Sequence, residues 1–363
     1  MKPLDGLYIG LMSGTSLDAI DAVLLHCSSD RISLRETCSY AIPPELREEI
    51  LQLCQSGANE IDRAGDVHLA LGEHFAEASL ALLKKAGLSA TDIIAIGCHG
   101  QTIRHRPGIR GFTVQLGSAD VLATRTGVAV VCDFRNRDMV LGGQGAPLVP
   151  AFHRAMWGSM PRTAVVNIGG MANITWLENG DVSSGFDTGP GNVLMDGWIR
   201  THRGEQFDQD GRWAASGQLQ PALLARLQQE PYFSTPPPKS TGRELFCMEW
   251  LNRHLSGESP EDVQATLLEL TAWSISEALK PLSPEKILVC GGGAHNKALM
   301  QRIKTLCNHT QVMPTDEVGL SADWVEGAAF AWLAWARMNQ VPGNICKVTG
   351  ARAEAVLGAL YLP

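Results

Sequence analysis

The stretch LYIGLMSGTSLDAIDAVLL, residues 7–25, decides the fold of the N-terminal part of the chain. Residues 7–12 and 20–25 are predicted to form two apolar strands, and the alternation in the second is typical of a strand with one buried face. Residues 34–42 form a third predicted strand. The chain is therefore expected to open with three antiparallel strands joined by short turns.

The turn inside this hairpin has the composition of a phosphate-binding loop. Gly14 lets the backbone approach a ligand closely, and successive N–H groups in such a turn form an anion-binding concavity. The hydroxyls of Ser13, Thr15 and Ser16 can donate to phosphate oxygens. The Asp18 carboxylate is of the kind that holds Mg²⁺, usually through water. The same residue types also build ordinary turns, so both interpretations stay open for this stretch alone.

Length and composition limit the kind of protein. At 363 residues the chain exceeds the roughly 250 to 300 at which a single core stops growing, so we expect two domains with a cleft between them. The content of 45% hydrophobic and 19% charged residues is that of an ordinary globular protein. The formal charge of -8 argues against nonspecific nucleic-acid binding, so a small substrate is expected.

Location and redox state follow from what the sequence lacks. The opening residues, MKPLDGLYIGLM, show no secretory signal pattern, so we expect a cytoplasmic protein. The most apolar window, around residues 328–335, is too short to span a membrane and is expected to be a buried helix. The nine cysteines contain no C-x-x-C pair, which fits reduced thiols rather than zinc or disulfide sites.

Polar residues follow two predicted strands of the first half. The strand at residues 93–98 ends in HGQT, which puts His99 and Gln101 at the edge where open α/β sheets place ligands. A later strand delivers Asp133 and Arg135. A hydrogen-bonded loop histidine remains an alternative for His99. Arg135 suits a carboxylate or phosphate, although the run DFRNRD is equally compatible with a surface ion-pair cluster.

The second half repeats the plan of the first. The glycine-rich run GGQGAP, residues 142–147, is the clearest break in composition and is the predicted crossover between lobes. Three further strands are predicted after it, and a Gly169-Gly170 turn joins the first two. Their ranges are 163–168, 171–177 and 182–186. Such a duplication would place two glycine hairpins on opposite walls of one cleft.

Asp187 is the strongest candidate for a catalytic group. It opens the run DTGPGN, residues 187–192, after a predicted strand and before a predicted helix. Pro190 fits the first turn of that helix, whose exposed N–H groups favour an anion. A capping role would explain the position of Asp187 but not the small residues around it, which leave the carboxylate facing open space. We therefore favour a general base.

Two later motifs suit a nucleotide and a sugar. The strand at 286–290 is followed by Gly291, Gly292 and Gly293, which open a helix and make a flat surface for an adenosine. No P-loop or complete G-x-G-x-x-G is present. Glu326 begins an apolar helix, where it either stabilises the helix dipole or points into the cleft and binds substrate hydroxyls.

The order of these motifs resembles that of the sugar kinase, heat-shock ATPase and actin superfamily. The motifs themselves resemble bacterial anhydro-N-acetylmuramic acid kinases from end to end. They are LMSGTSLDAIDAVL, CHGQTIRH, DFRNRD, GGQGAPLVP, NIGGMANIT, FDTGPGNVLMD, CGGGAHN and WVEGAAFAWLA. The resemblance implies an α/β fold with two ribonuclease-H-like lobes around a central cleft. Residues 1–141 would form the first lobe, to which a tail at about 340–363 returns, and residues 142–339 the second.

The resemblance also implies an activity. Such an enzyme of cell-wall recycling uses ATP and water to convert 1,6-anhydro-N-acetylmuramic acid into N-acetylmuramic acid 6-phosphate and ADP, and Asp187 would activate the water. Competing interpretations are a nucleotide-gated assembly protein or sugar-responsive regulator of the same superfamily, and a plain hexosamine or sugar-acid kinase. A homodimer is expected, with no nucleic-acid or membrane partner.

Carried onto this chain, the resemblance gives three groups of site residues. The predicted ATP-binding residues are Met12, Ser13, Gly14, Thr15, Ser16, Leu17, Asp18, Ala19, Asn167, Gly169, Gly170, Gly291, Gly292, Gly293 and Asn296. The predicted sugar-binding residues are His99, Gln101, Asp133, Arg135 and Glu326. Mg²⁺ is predicted to bind Asp18 through water and to bridge the phosphates.

Overall fold

A computed structural model describes residues 3–14, 17–108 and 110–363 and shows a mixed α/β protein. The strands are β1 (Gly6–Ser13), β2 (Ala19–Cys27), β3 (Ile32–Ala41), β4 (Ile93–Cys98), β5 (Gln101–Arg106), β6 (Phe112–Leu116), β7 (Val130–Cys132), β8 (Thr163–Ile168), β9 (Met171–Glu178), β10 (Asp181–Pro190), β11 (Lys286–Cys290), β12 (Gln311–Pro314) and β13 (Ala359–Tyr361). The helices are α1 (Pro44–Leu53), α2 (Glu60–Ala86), α3 (Ala119–Thr126), α4 (Asn136–Val140), α5 (Val149–Trp157), α6 (Val193–Arg203), α7 (Arg212–Ser216), α8 (Pro221–Leu227), α9 (Pro231–Ser234), α10 (Met248–Asn252), α11 (Pro260–Leu279), α12 (Lys297–Leu306), α13 (Val325–Met338) and α14 (Cys346–Thr349).

The chain divides into two compact units. Unit 1 comprises Met1–Met156 and Trp324–Pro363, and unit 2 comprises Trp157–Asp323. These bounds differ from the expected ones, because the glycine-rich segment at 142–147 and the helix α13 both lie in unit 1. Unit 2 is thus one continuous piece of chain, whereas unit 1 is built from two.

Both units contain the same arrangement of strands. In unit 1 the sheet order is β13-β7-β4-β1-β2-β3, and in unit 2 it is β10-β9-β8-β11-β12. In each, the first three strands are antiparallel neighbours and the first strand pairs in parallel with the fourth. This 3-2-1-4-5 order is that of a ribonuclease-H-like sheet, so the predicted fold class is confirmed. In unit 1, β13 adds an antiparallel edge strand beside β7.

Helix α13 packs very closely on the sheet of unit 1. A Cβ atom on Gly10 would overlap the carbonyl oxygen of Gly327, and one on Gly97 would overlap that of Phe330. Glycines in β1 and β4 therefore let the helix approach the strands, and the small residues of α13 complete the contact. The apolar window of the sequence is a buried helix, as predicted. Within the described residues no helix is long and apolar enough to cross a membrane.

The glycine-rich segment is fastened inside unit 1 by a buried carboxylate. Asp138 is fully buried, and its Oδ2 accepts a hydrogen bond of 2.8 Å from the amide of Gly145. Its Oδ1 accepts from Nδ2 of Asn344 and Oγ1 of Thr349, each at 2.7 Å. A Cβ on Gly143 would overlap the same carboxylate. The segment is therefore part of the packing of unit 1 and is not free at this point to act as a linker.

Candidate active site

In unit 2 the glycine turn of β8 and β9 is bonded to the start of α6. The carbonyl of Gly169 accepts from the amide of Asn192 at 2.8 Å, and that of Gly170 accepts from Gly191 at 2.9 Å and Val193 at 3.1 Å. A Cβ on Gly191 would overlap the oxygen of Gly169. The two glycine-containing motifs predicted from the sequence therefore form one continuous wall.

The three glycines after β11 have different surroundings. Gly291 has a φ of 77°, and a Cβ there would overlap Oδ1 of Asn167. A Cβ on Gly293 would overlap the side chain of Ile168. Gly292 is exposed, and the nearest atom to its ideal Cβ is Nδ2 of Asn192, at 3.8 Å. The outer glycines are thus required by packing against the end of β8, and the middle one presents bare backbone.

Gly292 lines a cavity of about 300 Å³ within unit 2, a volume at the lower end of the range for small-molecule sites. The cavity is lined by Asn192, Met195, Asp196, Phe207, Asp208, Gln209, Asp210, Gly292, His295 and Asn296. Burial raises the pKa of Asp196 to about 6. The mixture of flat backbone, apolar side chains and hydrogen-bonding groups suits a nucleoside. The sequence pointed to Gly292 and Asn296 but missed Asp196, because a single acidic residue within an amphipathic helix carries no motif.

Asn296 also has a structural task. Its Oδ1 accepts a hydrogen bond of 3.0 Å from the amide of Leu299 and so caps the N-terminus of α12. Asn167, the other predicted asparagine, lies at the end of β8, where its Oδ1 faces Gly291. Asn296 therefore lines the cavity, whereas Asn167 packs against Gly291 beside it.

Asp187 is held in place by a segment distant in sequence. Residue 187 lies on β10, opposite Asn173 of β9. Its amide donates to the carbonyl of Lys239 at 3.1 Å, and its carbonyl accepts from the hydroxyl of Tyr232 at 2.8 Å. Its Oδ2 accepts from the amide of Thr241 at 3.0 Å. The carboxylate thus has a fixed orientation within unit 2.

The surroundings of Asp187 raise the pKa of its carboxyl toward neutral pH. Burial raises the pKa of its carboxyl to about 6, the Thr241 amide bond acts in the opposite direction, and the Glu244 carboxylate adds to the rise. A carboxylate with such a pKa is ionised at pH 7 and still basic enough to accept a proton. The sequence pointed to Asp187 but not to its partners, which are Tyr232 and residues of the run KSTGRE after three prolines.

In unit 1 the described residues of the hairpin turn are anchored at Leu17 and open at Gly14. Ser13 is buried, and its Oγ has no hydrogen-bond partner among the described residues. Apart from its chain neighbours, no described heavy atom lies within 4 Å of where a Cβ of Gly14 would stand. The side chain of Leu17 is buried in the core of unit 1. Thr15 and Ser16, two predicted phosphate ligands, lie outside the described residues.

The flanks of this turn are strand residues. Met12 pairs with Asp21 in the β1–β2 ladder, and Ala19 pairs with Ala41 in the β2–β3 ladder, so both position the turn through their backbones. Asp18 follows the turn, is largely exposed and lies 3.7 Å from Arg47. Water therefore reaches its carboxylate.

The donor set of the described residues fits Mg²⁺ held mainly by phosphates. No group of three or more histidine, cysteine or acidic side chains suited to a metal ion is found in the described part of the chain. Mg²⁺ keeps several waters and is usually held by one or two carboxylates together with substrate phosphates. A single hydrated carboxylate at Asp18 is compatible with that mode.

His99, Arg135 and Glu326 come together in unit 1. Nδ1 of His99 donates to the carbonyl of Gly100 at 2.8 Å, and its Nε2 accepts from Nη2 of Arg135 at 2.8 Å. Arg135 also donates to the carbonyl of Gly145 at 2.7 Å. Burial and the Arg135 guanidinium hold the pKa of His99 well below its usual range, so the imidazole is neutral. Burial lowers the pKa of Arg135 to about 10, and the Glu326 carboxylate opposes that change.

The two remaining predicted sugar ligands have different positions. Gln101 begins β5, and its buried Oε1 has no hydrogen-bond partner within the described residues. Asp133 is exposed, accepts from Nδ2 of Asn136 at 2.6 Å and lines another cavity of unit 1 together with Arg337. The structure does not bring Asp133 into the cluster formed by His99, Arg135 and Glu326.

Two ribonuclease-H-like sheets, each with a hairpin turn after its first strand, define the architecture of the sugar kinase and actin superfamily. The chain belongs to the anhydro-N-acetylmuramic acid kinase family, whose model matches residues 6–363. It is therefore an ATP-dependent phosphotransferase of peptidoglycan recycling.

Solved structures with similar folds share little sequence with this chain. The activator of the 2-hydroxyisocaproyl-CoA dehydratase from Clostridium difficile with bound ADPNP is 14% identical, with a TM-score of 0.48 over 92% of this chain and 96% of that one. A ROK family glucokinase from Streptomyces griseus in complex with glucose and AMPPNP is 15% identical, with a TM-score of 0.41 over 90% of this chain and 99% of that one. Similarity at this level is too low to support an inference about the site.

Proposed function

We propose that this protein uses water to open the 1,6-anhydro bridge, the C1–O6 bond, of 1,6-anhydro-N-acetylmuramic acid and transfers the γ-phosphoryl group of ATP to O6. The products would be N-acetylmuramic acid 6-phosphate and ADP. The observation that carries the proposal is Asp187, an oriented carboxylate whose pKa of about 6 suits proton abstraction at neutral pH.

The substrate itself decides which group loses the proton. An ordinary sugar has a free O6 hydroxyl that a base can deprotonate, but in the anhydro sugar O6 is bonded to C1. Asp187 would therefore take a proton from water. The water oxygen forms a bond to C1 while the C1–O6 bond breaks, and the electron pair left on O6 attacks the γ-phosphorus. ADP leaves with the electrons of the broken P–O bond, and the water proton remains on Asp187 until it returns to solvent.

Each unit, taken by itself, has backbone or hydroxyl groups that suit part of an ATP molecule. In unit 1 the open backbone at Gly14 and the unpartnered Ser13 hydroxyl suit phosphate oxygens, as do Thr15 and Ser16 by composition. In unit 2 we assign the Gly169-Gly170 turn to the phosphates and the cavity beside Gly292 to the adenosine.

Asp18 would hold Mg²⁺ through water, since its carboxylate is the exposed acidic group next to the turn. The metal ion would neutralise charge on the phosphates that the turn binds. Asp18 would thus help to hold the phosphates at the hairpin turn of unit 1.

We assign sugar recognition in unit 1 to His99, Gln101, Arg135 and Glu326. Because His99 is neutral and accepts two N–H groups of Arg135, it would fix the guanidinium in one plane. The amide oxygen of Gln101 is buried and unpartnered, and it would accept a hydrogen bond from a sugar hydroxyl. Asp133 stays a prediction from sequence, since its observed partner is Asn136.

The reaction can be tested by following oxygen atoms. In ¹⁸O-labelled water, quenched before the anomeric hydroxyl exchanges, the label should appear at C1, and the oxygen bridging C6 and phosphorus should stay unlabelled. Label in the bridge or in the transferred phosphoryl group would show that water attacks elsewhere.

A plain hexosamine kinase is the alternative within the same fold. It would phosphorylate N-acetylmuramic acid or N-acetylglucosamine at least as fast as the anhydro sugar, with no label at C1. ADP release measured against these three sugars separates the alternatives, and release that needs no sugar would indicate an assembly ATPase. The proposal includes a homodimer and a cytoplasmic location, which rest on family membership alone.

A further inference from the structure

We infer that Thr241 is a sugar-binding residue whose hydroxyl contacts the substrate beside Asp187, an inference that rests on the proposed function. The residue belongs to the run KSTGRE, residues 239–244, to which the sequence assigns no role. The assignment depends on position, on an unpaired atom and on the charges nearby.

The position of Thr241 is set by hydrogen bonds that join Asp187 to Tyr232, Lys239 and Thr241 itself. The Asp187 amide donates to the carbonyl of Lys239 at 3.1 Å, and the Thr241 amide donates to Oδ2 of Asp187 at 3.0 Å. Tyr232, which precedes the three prolines, donates to the Asp187 carbonyl at 2.8 Å. Thr241 is therefore bonded directly to the candidate base.

The hydroxyl of Thr241 is an unpaired polar atom in this setting. Its Oγ1 is buried and has no hydrogen-bond partner among the described residues. Buried hydroxyl groups in folded proteins almost always have a partner, and a valine would fill the same space without this cost. An unpaired hydroxyl next to a base indicates that a ligand supplies the missing partner.

The charges nearby favour a neutral sugar over a phosphate as that ligand. The Lys239 ammonium donates to the carbonyls of Tyr232 and Phe233 at 3.0 and 3.3 Å and lies 4.6 Å from the ring centre of Tyr232. Its charge is thus directed at its own segment. The Glu244 carboxylate adds to the rise in the pKa of Asp187, so Asp187 and Glu244 are two negative groups that would repel an anion here. A sugar hydroxyl can donate or accept without such repulsion.

Thr241 does not line the nucleoside cavity, although burial raises the pKa of Asp196 there and Arg243 of the same run opposes that rise. The lining residues of the cavity run from Asn192 to Asp210 and from Gly292 to Asn296, and none belongs to residues 239–244. Thr241 is therefore expected to affect the sugar and not the nucleotide.

The test compares Thr241→Val with Thr241→Ser. Valine keeps the backbone amide and the shape but removes the hydroxyl, so the KM for the anhydro sugar should rise roughly three- to tenfold, the usual effect of one neutral hydrogen bond. The KM for ATP should stay unchanged. Serine restores the hydroxyl and should bring the sugar KM back to within about twofold of wild type.

A matched control is Thr235→Val, because the Thr235 hydroxyl is exposed and bonded to the carbonyl of Pro231. It should leave both KM values unchanged. Melting curves establish that each variant is folded, and Thr241→Ala replaces the valine variant if that one is not.

Three results would overturn the inference. An unchanged sugar KM in folded Thr241→Val would mean that the hydroxyl has no ligand. A fall in kcat with an unchanged sugar KM would mean that it acts on the attacking water and does not bind the sugar. A wild-type enzyme without anhydro-sugar turnover would remove the proposed function and this inference with it, whereas the first two results leave the proposed function intact.

Discussion

The amide nitrogen of Thr241 lies 3.0 Å from Oδ2 of Asp187, so one oxygen of the candidate base is occupied by a backbone donor. Within the described residues the other oxygen, Oδ1, accepts no hydrogen bond. The proton from the substrate water is therefore expected on Oδ1. A base fixed at one oxygen and open at the other needs little rearrangement before it reacts.

Removing the base should abolish most turnover and spare nucleotide binding. Asp187→Asn keeps the size of the side chain and an oxygen for the Thr241 amide, but an amide cannot accept the proton. We expect kcat to fall by roughly 10² to 10⁴, the usual contribution of a general base. ADP affinity, measured by calorimetry, should not change. Asp181→Asn, at the start of the same strand, is the control and should retain its kcat.

Turnover should depend on pH through the same carboxylate. Because the pKa of Asp187 is raised to about 6, the base is ionised and active above this pH and protonated below it. The value of kcat/KM for the sugar should therefore fall on the acid side, with an inflection near pH 6 and about a tenfold loss for each further unit. A profile that stays flat down to pH 4.5, more than a unit below the raised pKa, would exclude Asp187 as the base.

The buried carboxylate of Asp187 should also destabilise the folded protein when it is ionised. The folded-state pKa of about 6 lies above the ordinary value of 3.8, so between these values the folded protein holds the proton more tightly than the unfolded chain does. The free energy of unfolding therefore decreases as pH rises from about 4 to 6. Asp187→Asn removes this loss and should be more stable than wild type at pH 7, by on the order of 2 kcal/mol. Denaturant titrations should show the difference vanishing below about pH 4, where both side chains are neutral.

Asp196 should contribute to nucleotide binding. Its carboxylate lines the cavity next to Gly292, and burial raises its pKa to about 6. Asp196→Asn removes a charged acceptor and should weaken ADP binding roughly tenfold or more at pH 7.5. Calorimetry on the variant should show unchanged sugar affinity. Unchanged ADP affinity in a folded variant would place the nucleoside elsewhere.

The same substitution should affect ATP affinity at Gly14 and protein stability at Gly10. Gly14→Ala meets no described atom, so the variant should fold normally and bind ATP several-fold more weakly, because the new methyl group blocks the approach of phosphate. Gly10→Ala would push against Gly327 and should lower the melting temperature. Melting curves and ATP titrations of both variants separate the two effects. Normal ATP affinity in Gly14→Ala would remove this turn from the phosphate site.

The sequence predicted best those elements whose signal is local. The strands β4, β8 and β11 were predicted to the residue, because central strands are continuous apolar runs bounded by polar or glycine residues. The strand β5 was missed because its sequence, QTIRHR, is mostly polar, and it pairs only with β6 in a separate two-stranded sheet. The position of α13 in unit 1 also escaped prediction, since it depends on contacts between Gly327 and a strand far earlier in the chain.

The candidate site follows the same rule, because only those of its residues that have a local sequence signal were predicted. Asp187 and the glycine turns stand out because small residues cluster around them in the sequence. Thr241 is 54 positions from the carboxylate that it contacts, so no spacing rule connects the two. Asp196 sits within an ordinary helix, and only the fold places it at a cavity wall.

Asp138 has a consequence for the order of events during synthesis. Its carboxylate joins Gly145 to Asn344 and Thr349, and those last two residues leave the ribosome about two hundred positions later. Unit 2 is encoded without interruption between these points, so its core can form while the partners of Asp138, and the helix that covers β1 and β4, are still untranslated. The unit that is started first is thus completed last, and until then its sheet presents an uncovered apolar face to chaperones.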